Sequence, residues 1–168
     1  MIKVVFFDRD GVINKDYGYV HKIDNFDFNE GIFSLLNHLK KKGFQFCVIT
    51  NQSGIGRGLY KLSDLCKLNE FMILEFKKHG IDLLDISYCP HLPKDNCSCR
   101  KPKPEMVNKL VKKYNININD SWFIGDKTSD ITCAHNAGIF NTIKIGKKTS
   151  QNIELHNVLG IKEIENLI

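Results

Sequence analysis

"IKVVFFDRDG", residues 2–11, carries an apolar run straight into two carboxylates one residue apart and then a glycine. A short continuous apolar run of this kind reads as a strand buried on both faces, as in a parallel sheet covered by helices. Asp8, Arg9, Asp10 and Gly11 then stand where that strand must end.

Outward from this strand the same alternation continues to the far end of the chain. "GIFSLLNHLKKKG" (31–43) predicts a helix with apolar residues at 32, 35, 36 and 39 and Gly43 as its stop. "FQFCVITN" (44–51) is a second apolar strand. Ser63 is the expected N-cap of a helix over 64–80, whose Leu65, Leu68, Met72 and Phe76 share a face and which Gly80 closes. "LLDISYC" (83–89) predicts a third strand, and "PEMVNKLVKKYN" (104–115) a helix with Pro104 in its first turn. "SWFIGD" (121–126) follows as a fourth strand, "DITCAHNAG" (130–138) as a short helix and "NTIKIG" (141–146) as a fifth strand. Residues 147–168 offer only a weak helical pattern at "IKEIENLI", expected as an edge helix or strand. The fold class predicted is α/β: a Rossmann-like parallel sheet with helices on both faces, in one domain over residues 1–168.

Composition narrows function less than pattern does. At 168 residues and 42% hydrophobic the chain can bury one full core. Its 24 Lys+Arg against 19 Asp+Glu are spread along the sequence, which favours nucleic acid no more than a small anionic ligand. The apolar run before Asp8 is too short for a secretory signal, and no stretch approaches the ~20 apolar residues of a membrane span, so a cytoplasmic protein is expected. In that compartment six cysteines are thiols or metal ligands rather than disulfides. Cys47, Cys66 and Cys133 stand singly and read as small hydrophobes.

In an open parallel sheet ligands bind beyond the carboxyl ends of the strands. Those ends here carry Asp8 and Asp10, then Thr50, Asn51, Gln52 and Ser53, then Arg100 and Lys101, then Asp126 and Lys127 with Asp130 behind. Taken one at a time, Asp-x-Asp-Gly is more often a turn than a catalytic pair, and Lys101 a solvated charge. Their placement after four successive strands makes coincidence a poor account. Carboxylates gathered in one crevice repel unless a cation sits among them, and an all-oxygen site suits Mg²⁺. Lys101, Arg100 and Thr50 would then face an anion, which together specifies phosphoryl chemistry: an Asp attacks in line while Lys and Thr stabilise the equatorial oxygens.

A second constellation is the loop "YCPHLPKDNCSCRKP" (88–102). Cys89, His91, Cys97 and Cys99 would complete tetrahedral Zn²⁺ with no open position, a structural site. All four prolines fall in or beside this loop, at 90, 93, 102 and 104, and stiffen it. Arg100 and Lys101 follow the last ligand directly, so a zinc clip would aim both cations at the phosphate beside Asp8. A nucleic-acid-binding zinc finger needs a long gap and a His-x₃₋₅-His pair, and this loop has neither.

"FFDRDGV", "ITNQS", "RKP" and "IGDKTSD" together resemble the four motifs of the haloacid dehalogenase superfamily of aspartate-nucleophile phosphatases. The resemblance implies Asp8 as the nucleophile and Asp10 as the acid and then the base. Thr50 and Lys101 would hold the phosphoryl group, Mg²⁺ would be ligated by Asp8, the backbone carbonyl of Asp10 and Asp126, and Asp130 would play a supporting part. Only 33 residues separate Asp10 from Phe44 and 14 separate Cys89 from Pro104, so neither usual insertion point holds a cap domain.

A narrower resemblance, over nearly the whole chain, is to the capless zinc-containing phosphatases that act on heptose 1,7-bisphosphate or histidinol phosphate. It implies that Asp16, Gly18, Tyr19, Asn51, Gln52, Ser53, Arg100 and Lys127 touch a sugar bisphosphate, with Arg100 and Lys127 at its second phosphate. Tyr17 stands where that family usually has His. "GYVHKIDNF", "SGIGRG" and "GDK" favour the heptose branch, while the five residues between His91 and Cys97 look closer to the histidinol-phosphate branch. The expectation is hydrolysis of the 7-phosphate, for nucleotide-activated heptose in lipopolysaccharide or capsule. A monomer acting on a small molecule, with no nucleic-acid or membrane partner, goes with it.

Overall fold

The computed structural model describes residues 1–148 and 153–168. Along β1 (Val4–Phe7) successive side chains enter opposite cores: Val5 and Phe7 one, Val4 and Phe6 the other. That is the physical meaning of the unbroken apolar run, since a strand buried on both faces has no polar side to alternate with. Each of these fully buried side chains contributes roughly 1.5–3 kcal/mol of transfer free energy.

The chain continues through α1 (Ile32–Lys41), β2 (Gln45–Asn51), a single turn α2 (Ser53–Gly56), α3 (Leu62–Lys78) and β3 (Leu83–Cys89). Then come α4 (Glu105–Tyr114), β4 (Trp122–Gly125), α5 (Thr128–Asn136), β5 (Asn141–Ile145) and β6 (His156–Val158). The six strands form one parallel sheet in the order β3-β2-β1-β4-β5-β6. Helices α1 and α3 and the 3₁₀ turns at Ile161–Asn166 close one face through Leu35, Leu39, Met72, Phe76 and Ile164. Helices α4 and α5 close the other through Met106, Val107, Leu110, Cys133 and Ala134. The strand order turns back between β1 and β4, and a crevice opens there at the carboxyl ends.

Three local expectations are corrected. Ser63 does not cap α3; the helix begins at Leu62, and Asp64 reaches back to accept the Lys61 N–H at 2.8 Å. An ionised carboxylate is a stronger acceptor than a serine hydroxyl, so the first turn forms around it. In the same way α5 starts at Thr128 because Asp130 accepts the Lys127 N–H at 3.0 Å. Beyond the predicted five strands, His156–Val158 pairs with β5 as a sixth, and Ile161–Asn166 is helical. Of the stretch 147–168, residues 149–152 lie outside the described residues.

Candidate active site

Three carboxylates meet at the switch point. Oxygens of Asp8, Asp126 and Asp130 lie within 4.8 Å of one another, with Asp8 and Asp130 buried. The Nζ of buried Lys101 sits 2.9 Å from Asp8 and 2.7 Å from Asp130, and donates to the Ile49 carbonyl at 2.7 Å. One ammonium cannot neutralise three carboxylates. Burial, reinforced by Asp130 and Asp126, pushes the Asp8 carboxyl up to about 8 against the opposing pull of Lys101. Burial and Asp130 also raise Asp126, although Lys127 opposes them. Burial alone would lower the Lys101 ammonium, but Asp130 and Asp8 outweigh it and hold the pKa above the ordinary lysine range.

These residues fit a divalent cation. All three donors are carboxylate oxygens, and Asp126 Oδ1 is buried with no hydrogen-bond partner among the described residues. Gly11 makes the approach possible: a Cβ there would fall 2.3 Å from Asp126 Oδ2, and its φ of +92° is one that L side chains rarely adopt.

The Asp10 carboxylate faces a different set of neighbours. It receives Arg9 Nη2 at 2.8 and 2.9 Å, Asn14 Nδ2 at 3.0 Å and Gln52 Nε2 at 3.0 Å. Arg9 is itself fully buried and donates to the Val20 carbonyl at 2.7 Å, tying Asp10 to the loop that follows. The side chain of Asp10 is therefore no member of the acidic cluster, where the third carboxylate is Asp130.

A cleft of about 380 Å³ opens over Asp8 and Asp10. All eight residues expected at the substrate line it: Asp16, Gly18, Tyr19, Asn51, Gln52, Ser53, Arg100 and Lys127. Thr50 is buried beneath and accepts from Gln52 Nε2 at 2.8 Å. Asn51 is committed to the protein, its side-chain amide clamping both N–H and C=O of Lys101. Lys127 reaches across the mouth to Asp16 at 3.2 Å. Burial would lower the Lys127 ammonium, yet Asp126, Asp8 and Asp16 together raise it. Tyr17 turns away, its hydroxyl donating to Asp27 at 2.7 Å. Ser129 and Tyr60 also line the cleft, and with Arg9 and Asn14 these are residues that sequence reasoning missed.

The cysteine loop gathers as expected. Sγ of Cys89 lies 3.5 Å from Sγ of Cys97, Cys97 lies 3.6 Å from Cys99, and His91 Nδ1 is 3.6 Å from Cys89 and 3.3 Å from Cys99. Such sulfur separations are far beyond the ~2.05 Å of a disulfide. They match the ~3.8 Å edges of a tetrahedron with ~2.3 Å metal–sulfur bonds. The donor set and spacing fit zinc, and Arg100 and Lys101 leave this loop directly for the cleft.

Fold and site together define an open α/β protein with an acidic cation site at its switch point. The model of the haloacid dehalogenase-like hydrolases matches residues 67–144. The chain is 44% identical over 167 residues to the D-glycero-beta-D-manno-heptose-1,7-bisphosphate 7-phosphatase of Helicobacter pylori (strain J99), covering 99% of this chain and 95% of that one. It is 41% identical over 164 residues to the D-glycero-alpha-D-manno-heptose-1,7-bisphosphate 7-phosphatase of Campylobacter jejuni, covering 98% and 94%. A solved D,D-heptose 1,7-bisphosphate phosphatase from B. bronchiseptica, complexed with magnesium and phosphate, superposes with a TM-score of 0.89 at 24% identity, covering 99% and 97%. The chain belongs to the haloacid dehalogenase-like hydrolase family, and its relatives within it are heptose-bisphosphate phosphatases.

Proposed function

We propose that the chain is a phosphoric monoester hydrolase that removes the 7-phosphate of D-glycero-D-manno-heptose 1,7-bisphosphate, leaving heptose 1-phosphate. The observation that carries this is a buried, lysine-paired Asp8 at a strand end, in a chain 44% identical along its length to a phosphatase of that substrate.

Asp8 attacks the 7-phosphorus and the bond from phosphorus to the sugar oxygen breaks. Asp10 gives that oxygen its proton, leaving an aspartyl-phosphate on Asp8. Water then attacks the same phosphorus, Asp10 takes the water's proton, and the Asp8–phosphorus bond breaks to release phosphate. Lys101 and Thr50 hold the phosphoryl oxygens throughout. Asp8, Asp126 and the Asp10 carbonyl, with Asp130 beside them, would hold magnesium, which would supply charge neutralisation. Cys89, His91, Cys97 and Cys99 would hold zinc, which would keep the loop that carries Arg100 and Lys101 in place. Arg100 and Lys127 bind the 1-phosphate, and the Lys127–Asp16 pair at the mouth serves where other members would use a cap.

This reading takes residues 1–168 as one catalytic domain, a cytoplasmic monomer acting on a small molecule without nucleic acid. No helix among the described residues is long and apolar enough to cross a membrane. The relatives carry both alpha and beta anomer names at nearly equal identity, so both anomers belong in the assay. Specificity constants for the heptose bisphosphate and for histidinol phosphate decide the substrate. The heptose bisphosphate is expected to be higher by at least about 100-fold, the value of about 2.7 kcal/mol of differential binding. A higher constant for histidinol phosphate would overturn the assignment.

A further inference from the structure

We propose that Tyr60 and Gln52 are positioning residues for the proton transfers of Asp10, with Tyr60 setting the Gln52 amide. The proposal rests on the phosphatase reading above and adds Tyr60, which lies outside the four motifs and acts through Gln52 of the second.

The Tyr60 hydroxyl is 2.6 Å from Gln52 Oε1, and Gln52 Nε2 is 3.0 Å from Asp10 Oδ2 and 2.8 Å from Thr50 Oγ1. Both side chains are buried, at 6% and 2% exposure. An amide has one acceptor end and one donor end. Turned the other way, its oxygen would face the Asp10 carboxylate, acceptor against acceptor, and its NH₂ would face the phenol. The tyrosine hydroxyl must then donate to Oε1, and both N–H bonds of Gln52 must point at the two groups flanking the phosphoryl position. Thr50 Oγ1, already accepting, keeps its own hydrogen for a phosphoryl oxygen. Arg9 and Asn14 hold Asp10 from its own loop, so Gln52 is the contact that ties Asp10 to the second strand end.

The seat of Tyr60 is built for this orientation. A Cβ on Gly54 would lie 2.0 Å from the Tyr60 ring, so only glycine lets α2 pass under it. His21 stacks on the ring at 4.7 Å and 7°, and is itself hydrogen-bonded to the Tyr19 carbonyl at 2.7 Å. Gln52, expected at the substrate, thus spends its amide inside the protein.

The test exploits the leaving group. A sugar alkoxide needs the proton of Asp10 as it departs, whereas 4-nitrophenolate leaves without one. Tyr60→Phe keeps the ring and its stacking and removes the donor. It is expected to lower kcat/KM for the heptose bisphosphate about tenfold, mostly in kcat, and the ratio of that constant to the one for 4-nitrophenyl phosphate at least about fivefold. Gln52→Met should lower the ratio further. The double variant Tyr60→Phe/Asp10→Asn should turn over the sugar bisphosphate no more slowly than Asp10→Asn alone, because both changes act on one proton transfer. This second readout needs no aryl substrate. Equal losses on both substrates, no loss on the sugar bisphosphate, or additive losses in the double variant would each overturn the proposal. Failure of the phosphatase reading looks different: the unaltered protein would hydrolyse neither ester, or Asp8→Asn would hydrolyse both.

Discussion

The oxygen cluster and the sulfur cluster are both shaped for a metal, and they are assembled in opposite ways. Cys89, His91, Cys97 and Cys99 come from eleven consecutive positions and converge through the local geometry of one stiff loop. Asp8 and Asp126 are 118 residues apart and meet only because β1 and β4 are neighbours in the sheet. The sulfur cluster offers four ligands and no open position, whereas the oxygen cluster leaves a buried carboxylate oxygen unpartnered and faces an open cleft. A closed cluster fixes chain, and an open one keeps room for a ligand to react. If that distinction is right, perturbing the oxygen cluster damages chemistry and core electrostatics together, while perturbing the sulfur cluster damages placement.

The largest effect is expected at the oxygen cluster. Lys101→Met removes the only ammonium paired with Asp8 and Asp130 among the described residues. Turnover should fall about 10²–10³-fold. Leaving the buried Asp8–Asp130 pair without its ammonium should also cost about 3–5 kcal/mol of stability in metal-free protein. Kinetics and denaturant melts with and without Mg²⁺ check both, and unchanged metal-free stability would argue against the buried pairing.

At the sulfur cluster the expected loss is smaller and differently distributed. Cys97→Ser should release the metal and free the loop, lowering turnover roughly tenfold through misplacement of Arg100 and Lys101. Zinc content measured beside kcat and KM is the check. A variant that lost zinc and kept both constants would make the clip irrelevant to the site.

Smallest over any single pH unit is a stability change confined to the oxygen cluster. Asp8 has a folded pKa raised to about 8 from 3.8, so the folded state holds a proton that the unfolded chain has released. Metal-free stability should therefore fall as pH rises between about 4 and 8, by at most about 1.4 kcal/mol per pH unit. A cation binding the ionised form should restore more at pH 8 than at pH 5. Melting temperatures with and without Mg²⁺ at those two values decide it, and a pH-independent increment would contradict the assignment.

The same contrast explains what could be read in the sequence. The sulfur cluster was legible because its spacing is its geometry. The strands were legible because burial on both faces leaves an uninterrupted apolar run, as in Val4–Phe7 and Gln45–Asn51. The oxygen cluster became legible only through topology, which places strand ends together even when their residues lie far apart in the chain. Arg9 was not legible, since a lone arginine reads as solvated, and its burial follows from carbonyl and carboxylate partners that form only on folding. Tyr60 was hidden for a similar reason: it follows no strand, and its partner Gln52 reads as a substrate contact until Thr50 and Asp10 close around it. Ser63 misled because a neighbouring aspartate outcompeted it at the start of α3.

Phosphoryl transfer from the 7-position through Asp8 is what the oxygen cluster is proposed to run. ³¹P NMR of heptose 1,7-bisphosphate with Mg²⁺ tests it directly. Expected are loss of the 7-phosphate resonance with matching growth of inorganic phosphate, persistence of the 1-phosphate resonance, and no turnover with Asp8→Asn. Loss of the 1-phosphate first, or turnover by Asp8→Asn, would contradict it.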